Sequence, residues 1–292
     1  MDIIITMPHL PKQGEDINIE APLLRLGGCA YNVFETLRFL ESPAILFSAT
    51  GSGFYGHMVK ERLKERGIQP MVELEEENGC CYCLVDEGGE RSFLSYHGAE
   101  YIFYKSWTKN LDFSSIDSVY ISGIDVEGPT GSEIVAFIYE HPGMTFYFAP
   151  GPRIMEIHPS RMKKILEYRN SERKGPVLHL NKTEAFDFTG KTNIKDAAQY
   201  LADRTNNILI ITLKEQGCYC YDRENKKPGE HIPGVRTNVI DTTGAGDAHC
   251  GAIIAELKNG KPLPEACKTA NKIGAAITGM HGAVFNKNAK LP

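Results

Sequence analysis

No stretch of this sequence approaches the ~20 consecutive apolar residues of a membrane-spanning helix, so no membrane partner is expected. The opening Met1-Asp2-Ile3-Ile4-Ile5 has no basic region, and its apolar run is too short for a secretory signal. A cytoplasmic protein is therefore expected. Positive charge is also short: 32 Lys and Arg stand against 37 Asp and Glu, for a net charge of −5. Nucleic acid is not an expected partner, because backbone phosphates demand clustered cations. The brief basic run Arg161-Met162-Lys163-Lys164 reads as a solvated helix face. Long linkers, internal repeats and low-complexity tracts are missing as well. Cysteine is not scarce, at eight residues, and in a reducing compartment these read as free thiols. Cys80-Cys81-Tyr82-Cys83 and Cys218-Tyr219-Cys220 carry a C-x-C spacing. That spacing suits alternation along a strand better than a zinc knuckle.

What is present is an ordinary globular chain, 292 residues long and 42% hydrophobic, long enough to bury its own core. Short apolar runs alternate with helical patterns. Residues 44–49, 118–122, 145–149, 177–180 and 208–212 read as strands, and 59–66, 132–139, 160–168 and 194–205 as helices. This rhythm predicts an α/β fold, a doubly wound, mostly parallel sheet with helices on both faces. Residues 10–25 and 71–104 break the rhythm with extended, alternating sequence. The run 81–85, a Gly-rich turn and 91–96 read as a hairpin. These two segments are expected to form a small β-sheet lid. Phe93 and Tyr96, with Cys81 and Cys83, are expected to leave it an apolar face that pairs with a second copy as a homodimer.

The strongest chemical signal is Asp241-Thr242-Thr243-Gly244-Ala245-Gly246-Asp247, between a strand-like approach and an apolar helical pattern at 251–257. Glycines there let a ligand approach the backbone. The N–H groups of a helix start form an anion site. Asp247 in that first turn is placed to take a proton from an attacking hydroxyl, while the N–H groups stabilise a transferred phosphoryl group. The plainer reading is a tight turn with a helix cap. A second Gly-rich segment, Leu26-Gly27-Gly28-Cys29-Ala30-Tyr31-Asn32, offers close approach at Gly27 and Gly28 and an amide at Asn32 that both donates and accepts.

Together these segments resemble the two signatures of the ribokinase-like (PfkB) family of carbohydrate kinases, nearest in look to the ribokinase and pseudouridine kinase branches. The resemblance spans essentially the whole chain and implies one kinase domain over 1–292, with the lid segments inside it. It implies an ATP-dependent kinase acting on a hydroxyl of a small sugar or nucleoside, with Mg²⁺ and, in many members, K⁺. Asp247 becomes the catalytic base and Gly244, Ala245 and Gly246, with Asp247, the anion hole. Asp2, Gly27, Gly28 and Asn32 become substrate-binding residues. Asn181-Lys182-Thr183-Glu184 resembles the element that organises metal and phosphate, with Glu184 holding Mg²⁺ through water. Asn181, Thr212, Gly217, Asn271, His281 and Gly282 fall where the family binds ATP. Asp241 and Thr243, with the loop at 276–286, fall where members bind a monovalent cation. One departure concerns Asp2: the residues that precede this Asp in relatives are not there, so most of a first strand is expected to be missing. Tyr31, Tyr96, His97 and Phe103 are read either as stacking on a base, which would favour a nucleoside, or as packing the lid.

Two other functions fit parts of the sequence. Gly51-Ser52-Gly53-Phe54-Tyr55-Gly56 is a G-x-G-x-x-G after a strand-like run, with Glu73 and Glu75 near the spacing of a ribose-binding acid, as in NAD-dependent oxidoreductases. Here, however, the motif is expected to end before the next helix starts. A nucleotide- or sugar-binding regulator on a kinase fold is the non-enzymatic alternative, although a pure binder has no use for Asp247. His249 reads as a residue lining the cleft, or as a second acid or base.

Overall fold

The computed structural model describes residues 1–88, 90–223 and 229–285. The chain divides into two compact units, 1–31 with 45–102 and 32–44 with 103–292.

The first unit is built on a four-stranded sheet in the order β2-β1-β5-β6, from Leu23–Arg25, Asp2–Thr6, Cys80–Val85 and Arg91–Tyr96. β1 runs parallel to β5 and antiparallel to β2, and β5 and β6 form the predicted hairpin. Asp2–Thr6 supplies a strand the sequence reading did not provide, and of residues 10–25 only Leu23–Arg25 pairs. Residues 71–104 are also divided. β4 (Val72–Glu77) pairs in parallel with β3 (Ala49–Ser52) as a separate two-stranded sheet, with α2 (Gly53–Glu65) between them in sequence. The expected strand at 44–49 begins only at Ala49, and Ile45 is 57% exposed. The pairing of Cys83 with Phe93 and of Cys80 with Tyr96 puts Phe93 and Tyr96 on opposite faces. Both are exposed, so the sheet offers apolar side chains on two faces rather than the expected one.

The unit boundary falls within α1 (Cys29–Phe39), between Tyr31 and Asn32. The second unit contains a six-stranded sheet in the order β12-β11-β10-β9-β8-β7. The strands β7 (Ser118–Ser122), β8 (Thr145–Ala149), β9 (Val177–Asn181) and β10 (Ile208–Thr212) are parallel. β11 (Cys218–Asp222) and β12 (Glu230–Ile232) continue it antiparallel. Between β7 and β8 lie α3 (Gly123–Glu127) and α4 (Gly131–Glu140); between β8 and β9 lies α5 (Pro159–Glu167). α6 (Lys182–Thr189) and α7 (Ile194–Thr205) join β9 to β10, and α8 (Ala245–Lys258) and α9 (Leu263–Thr278) follow β12.

Strand alternation decides which helices cover which face. Phe146, Phe148, Leu209, Ile211, Tyr219 and Tyr221 pack with α4, α5 and α7 in one buried cluster. Their neighbours Tyr147, Ile210, Cys218 and Cys220 point the other way, into a cluster with α1, α8 and α9. Helices therefore cover both faces, as the rhythm predicts. Cys218 and Cys220 are buried on one face, which is the alternation expected of a C-x-C on a strand. All eight cysteines are free thiols. Among the described residues, no helix is long and apolar enough to cross a membrane.

Candidate active site

The turn before α8 depends on a glycine. Gly244 has φ +72°, in the left-handed region, and caps the N-terminus of α8. A Cβ there would lie 2.4 Å from the Cβ of Ala283, so neither the backbone nor the space suits a side chain. Gly246 differs: a Cβ there would meet nothing within 4 Å, which leaves open space over the helix start. Of the N–H groups expected to form the anion hole, that of Ala245 turns back to Thr242 O at 3.3 Å. The helical ladder begins with Ala248 N–H on Gly244 O at 2.8 Å. Gly246 and Asp247 lie between them in the first turn, where helix N–H groups carry the positive end of the dipole.

Asn32 and Asp247 are 215 residues apart in sequence and meet in the second unit, where Asn32 Nδ2 donates to Asp247 Oδ2 at 2.8 Å. Asn32 is buried, and its Oδ1 has no hydrogen-bond partner. A buried amide oxygen without a donor is costly, so this atom fits a ligand hydroxyl.

Asp241 holds the turn in place. Its Oδ1 accepts from Thr243 N–H at 2.7 Å and its Oδ2 from Gly282 N–H at 2.9 Å, so one buried carboxylate ties the turn to the 281–282 loop. The N–H groups of Ile240 and Asp241 both donate to Thr278 O at the end of α9. Gly282 has φ +89° and is buried, whereas His281 is exposed. Asn286, the last residue of the predicted cation loop, lies outside the described residues.

The other predicted nucleotide residues gather at the carboxyl ends of the parallel strands, where open α/β sheets bind ligands. Asn181 and Thr212 end β9 and β10 and are register partners. Asn181 caps α6: its Oδ1 accepts from Glu184 N–H, while its own N–H and Nδ2 donate to the Glu184 carboxylate. That carboxylate is buried, and burial pushes its pKa up. Gly217 has φ +93°, and a Cβ there would lie 2.1 Å from Ile232 O, so the turn after β10 also depends on glycine.

Asn271 and His249 are not on an open cleft. Asn271 Nδ2 donates to the carbonyls of Ile232 and Pro233 at 3.1 and 2.9 Å, which turns Oδ1 toward His249 Nε2 at 3.1 Å. His249 Nε2 must then carry the hydrogen, and His249 Nδ1 accepts from His179 Nε2 at 2.9 Å. This buried chain links β9, α8 and α9. His249 is thus a buried link rather than a residue lining an open cleft. His179 was missed, although a histidine within Val177-Leu178-His179-Leu180 is itself a signal of a buried polar link.

Burial, and then the nearby His249, hold His179 well below the usual histidine pKa. An unfolded histidine titrates near about 6.5, so below that pH the unfolded chain binds a proton the folded one refuses, and stability falls with pH. Chemical denaturation from pH 7 to 5 is expected to show this loss. It should be shallower in His179→Gln, which keeps a donor toward His249 without a titrating ring. Equal slopes in the two proteins would exclude His179 as the source.

In the first unit, Asp2 heads β1, opposite Arg25 on one side and Cys81 on the other. The strand questioned from sequence is present and fixes this carboxylate between two ladders. Burial raises the pKa of Asp2. A Cβ at Gly27 would lie 1.9 Å from Asp2 Oδ2, so the bare backbone of Gly27 lies against the carboxylate. Gly28 has φ +105° with nothing within 4 Å of a built Cβ. Of the aromatic residues read as stacking on a base or packing the lid, Tyr31 is buried, Tyr96 is exposed, His97 stacks on Tyr101, and Phe103 packs against Phe137.

The G-x-G-x-x-G run uses its glycines for packing. α2 starts at Gly53, inside the motif rather than after it. A Cβ at Gly51 would lie 2.4 Å from Glu76 O, and one at Gly56 would lie 2.2 Å from Gly51 O. These glycines let backbones touch one another, not a dinucleotide.

Comparison with known proteins agrees with this frame. An uncharacterized sugar kinase, YegV, of Escherichia coli strain K12 is 29% identical over 287 residues, covering 97% of this chain and 87% of that protein. The ribokinase of Cryptococcus neoformans var. grubii serotype A, solved in complex with ADP, superposes with a TM-score of 0.74 at 23% identity, covering 97% and 92% of the two chains. The nucleoside kinase of Burkholderia thailandensis, solved with inosine, gives a TM-score of 0.75 at 21% identity, covering 97% and 89%. These likenesses bear out the ribokinase-like α/β fold. The family model described as pfkB family carbohydrate kinase matches residues 1–290, and the chain belongs to that family of ATP-dependent sugar and nucleoside kinases.

Proposed function

We propose that this kinase transfers the γ-phosphoryl group of ATP to a hydroxyl of a small sugar or nucleoside-like substrate, with Asp247 as the base. The observation that carries the reading is the Asn32–Asp247 hydrogen bond at 2.8 Å, with Asn32 Oδ1 buried and unpartnered beside it. Asn32 orients the carboxylate and offers its oxygen to a substrate hydroxyl. Asp247 accepts the proton of the attacking hydroxyl, and the helix start around Gly246 receives the phosphoryl oxygens. Asp2, Gly27 and Gly28 are proposed as further substrate-binding residues. The inosine complex of the Burkholderia relative favours keeping nucleosides among the substrates tested.

Asn181, Thr212, Gly217, His281 and Gly282 are proposed to line the ATP site. Asn271 contributes through placement, because its amide is already spent on His249, Ile232 and Pro233. Mg²⁺ fits as an outer-sphere partner of Glu184: each carboxylate oxygen accepts one hydrogen bond from Asn181, and a second lone pair on each suits a metal-bound water. When bound, the ion neutralises charge on the transferring phosphates. Asp241 and Thr243 are proposed to hold a monovalent cation such as K⁺.

The test is ADP release with Mg-ATP across a panel of sugars and nucleosides. Release dependent on one acceptor is expected. Its absence across the panel would favour a binding regulator. The same assay in tetramethylammonium buffer, then with added potassium, reads the cation. Turnover is expected to rise with potassium, and a flat response removes the ion from the mechanism. We also propose a homodimer through the four-stranded sheet, where Leu23, Phe93, Leu94 and Tyr96 are exposed. Light scattering at tens of micromolar reads this directly.

A further inference from the structure

The four-stranded sheet carries a cluster that phosphoryl transfer does not use. Parallel register sets Asp2 beside Cys81 and Ile4 beside Cys83. Alternation then puts both cysteines on one face. One carboxylate oxygen of Asp2 and the two sulfurs all lie within 4.8 Å of one another. The sulfurs are 3.9 Å apart. Two thiolates on a tetrahedral zinc ion, at about 2.3 Å each, stand about 3.8 Å apart. The pair therefore already has the spacing of two zinc ligands, and the strand that carries it is held by ladders to β1 and β6.

The donor set selects the kind of ion. Two sulfurs and one carboxylate suit Zn²⁺ and similarly thiophilic cations, whereas Mg²⁺ and Ca²⁺ take all-oxygen shells. Among the described residues, the Asp2 carboxylate accepts no hydrogen bond, and the nearby N-terminal ammonium is the charge that offsets it. The bare backbone of Gly27 presses against it. A half-buried carboxylate without hydrogen bonds is a group that gains from a cation. Three protein ligands leave one position open, the arrangement of an exchangeable rather than a closed structural site.

We propose that Asp2, Cys81 and Cys83 bind a thiophilic divalent cation of the Zn²⁺ class, and that its occupancy competes with the phosphoryl acceptor for Asp2. The thiols bind as thiolates and release their protons to solvent. The competition rests on the reading of Asp2 as a substrate-binding residue; the site itself does not.

Metal-free protein under a phosphine reductant would be titrated with Co²⁺ and Cd²⁺. A thiolate-to-metal charge-transfer band saturating at one ion per chain is expected, and it should vanish in Cys81→Ser/Cys83→Ser. With buffered free Zn²⁺ and saturating Mg-ATP, the KM for the acceptor should rise while kcat holds. The double variant should need about tenfold more Zn²⁺, or more, for the same rise. Should that variant fold poorly, Cys81→Ser alone provides the same comparison, because Cys81 is the less buried thiol. No band, or a band that persists without the two thiols, overturns the site. A band without a change in KM overturns the competition and the role of Asp2, and leaves the metal site standing.

Discussion

Asp247→Asn is expected to lower turnover by about 10² or more, the usual scale for losing a positioned base, with ATP affinity largely unchanged. The substitution is isosteric, and its carbonyl oxygen still accepts from Asn32 Nδ2, so the 2.8 Å contact survives. What disappears is the capacity to take a proton. The variant also loses a negative charge in the first turn of α8, where carboxylates contribute about 0.3–1 kcal/mol through the helix dipole. A small drop in Tm is therefore expected alongside the large drop in kcat, and the two readouts separate chemistry from folding. Single-turnover rates with saturating ATP and acceptor give the cleanest comparison. Turnover near that of the wild type would remove Asp247 from the base role. Loss of ATP binding would mean that the carboxylate shapes the nucleotide site instead.

The parts of this fold that were legible in the sequence are those where burial and period agree. β7 to β10 are short apolar runs covered on both faces, and α7 matches its predicted span, Ile194–Thr205. The turn into α8 was legible because two glycines and a carboxylate before an apolar helical pattern leave few alternatives. β3 was misplaced for a physical reason. Its Ala-Thr-Gly-Ser sequence is selected by close backbone packing, since a Cβ at Gly51 would strike Glu76 O and Asn78 N. The more apolar 44–48 beside it is coil. Hydrophobicity pointed to the wrong five residues because small size, not apolarity, is what that strand requires. The short run Ile3-Ile4-Ile5 could not reveal its sheet, because register with β5 is a long-range choice. Phe93 and Tyr96 were assigned to one face although their spacing is odd, and the ladder with β5 separates them. The His179–His249–Asn271 chain was invisible because its members are 70 and 22 residues apart. Only the fold brings them together.

Gly244→Ala is expected to damage both stability and turnover, by two separable routes. The first is conformational: a left-handed φ of +72° costs a residue with a Cβ about 1–2 kcal/mol. The second is steric: the new Cβ would lie 2.4 Å from that of Ala283, a contact that one of the two segments must relieve by moving. Overpacking of this kind typically costs about 1–3 kcal/mol. Ala283 adjoins Gly282, whose N–H holds Asp241 Oδ2, and Asp241 Oδ1 in turn holds Thr243 N–H. Movement at 283 therefore returns to the turn that sets the N–H groups of the proposed anion hole. Because misplacement of about 1 Å in a catalytic site can cost about 10²-fold, kcat should fall well beyond what the loss of folded protein explains. Ala283→Gly in the same chain removes the closest contact but leaves the backbone Cα of residue 283 at 2.9 Å and the strained φ. The double variant should thus regain part of the stability and a larger share of kcat than Gly244→Ala alone. Equal kcat in the single and double variants would assign the whole effect to the backbone at 244 and remove Ala283 from the account. Wild-type kcat in Gly244→Ala would show that the turn tolerates a side chain and that its geometry does not set the rate.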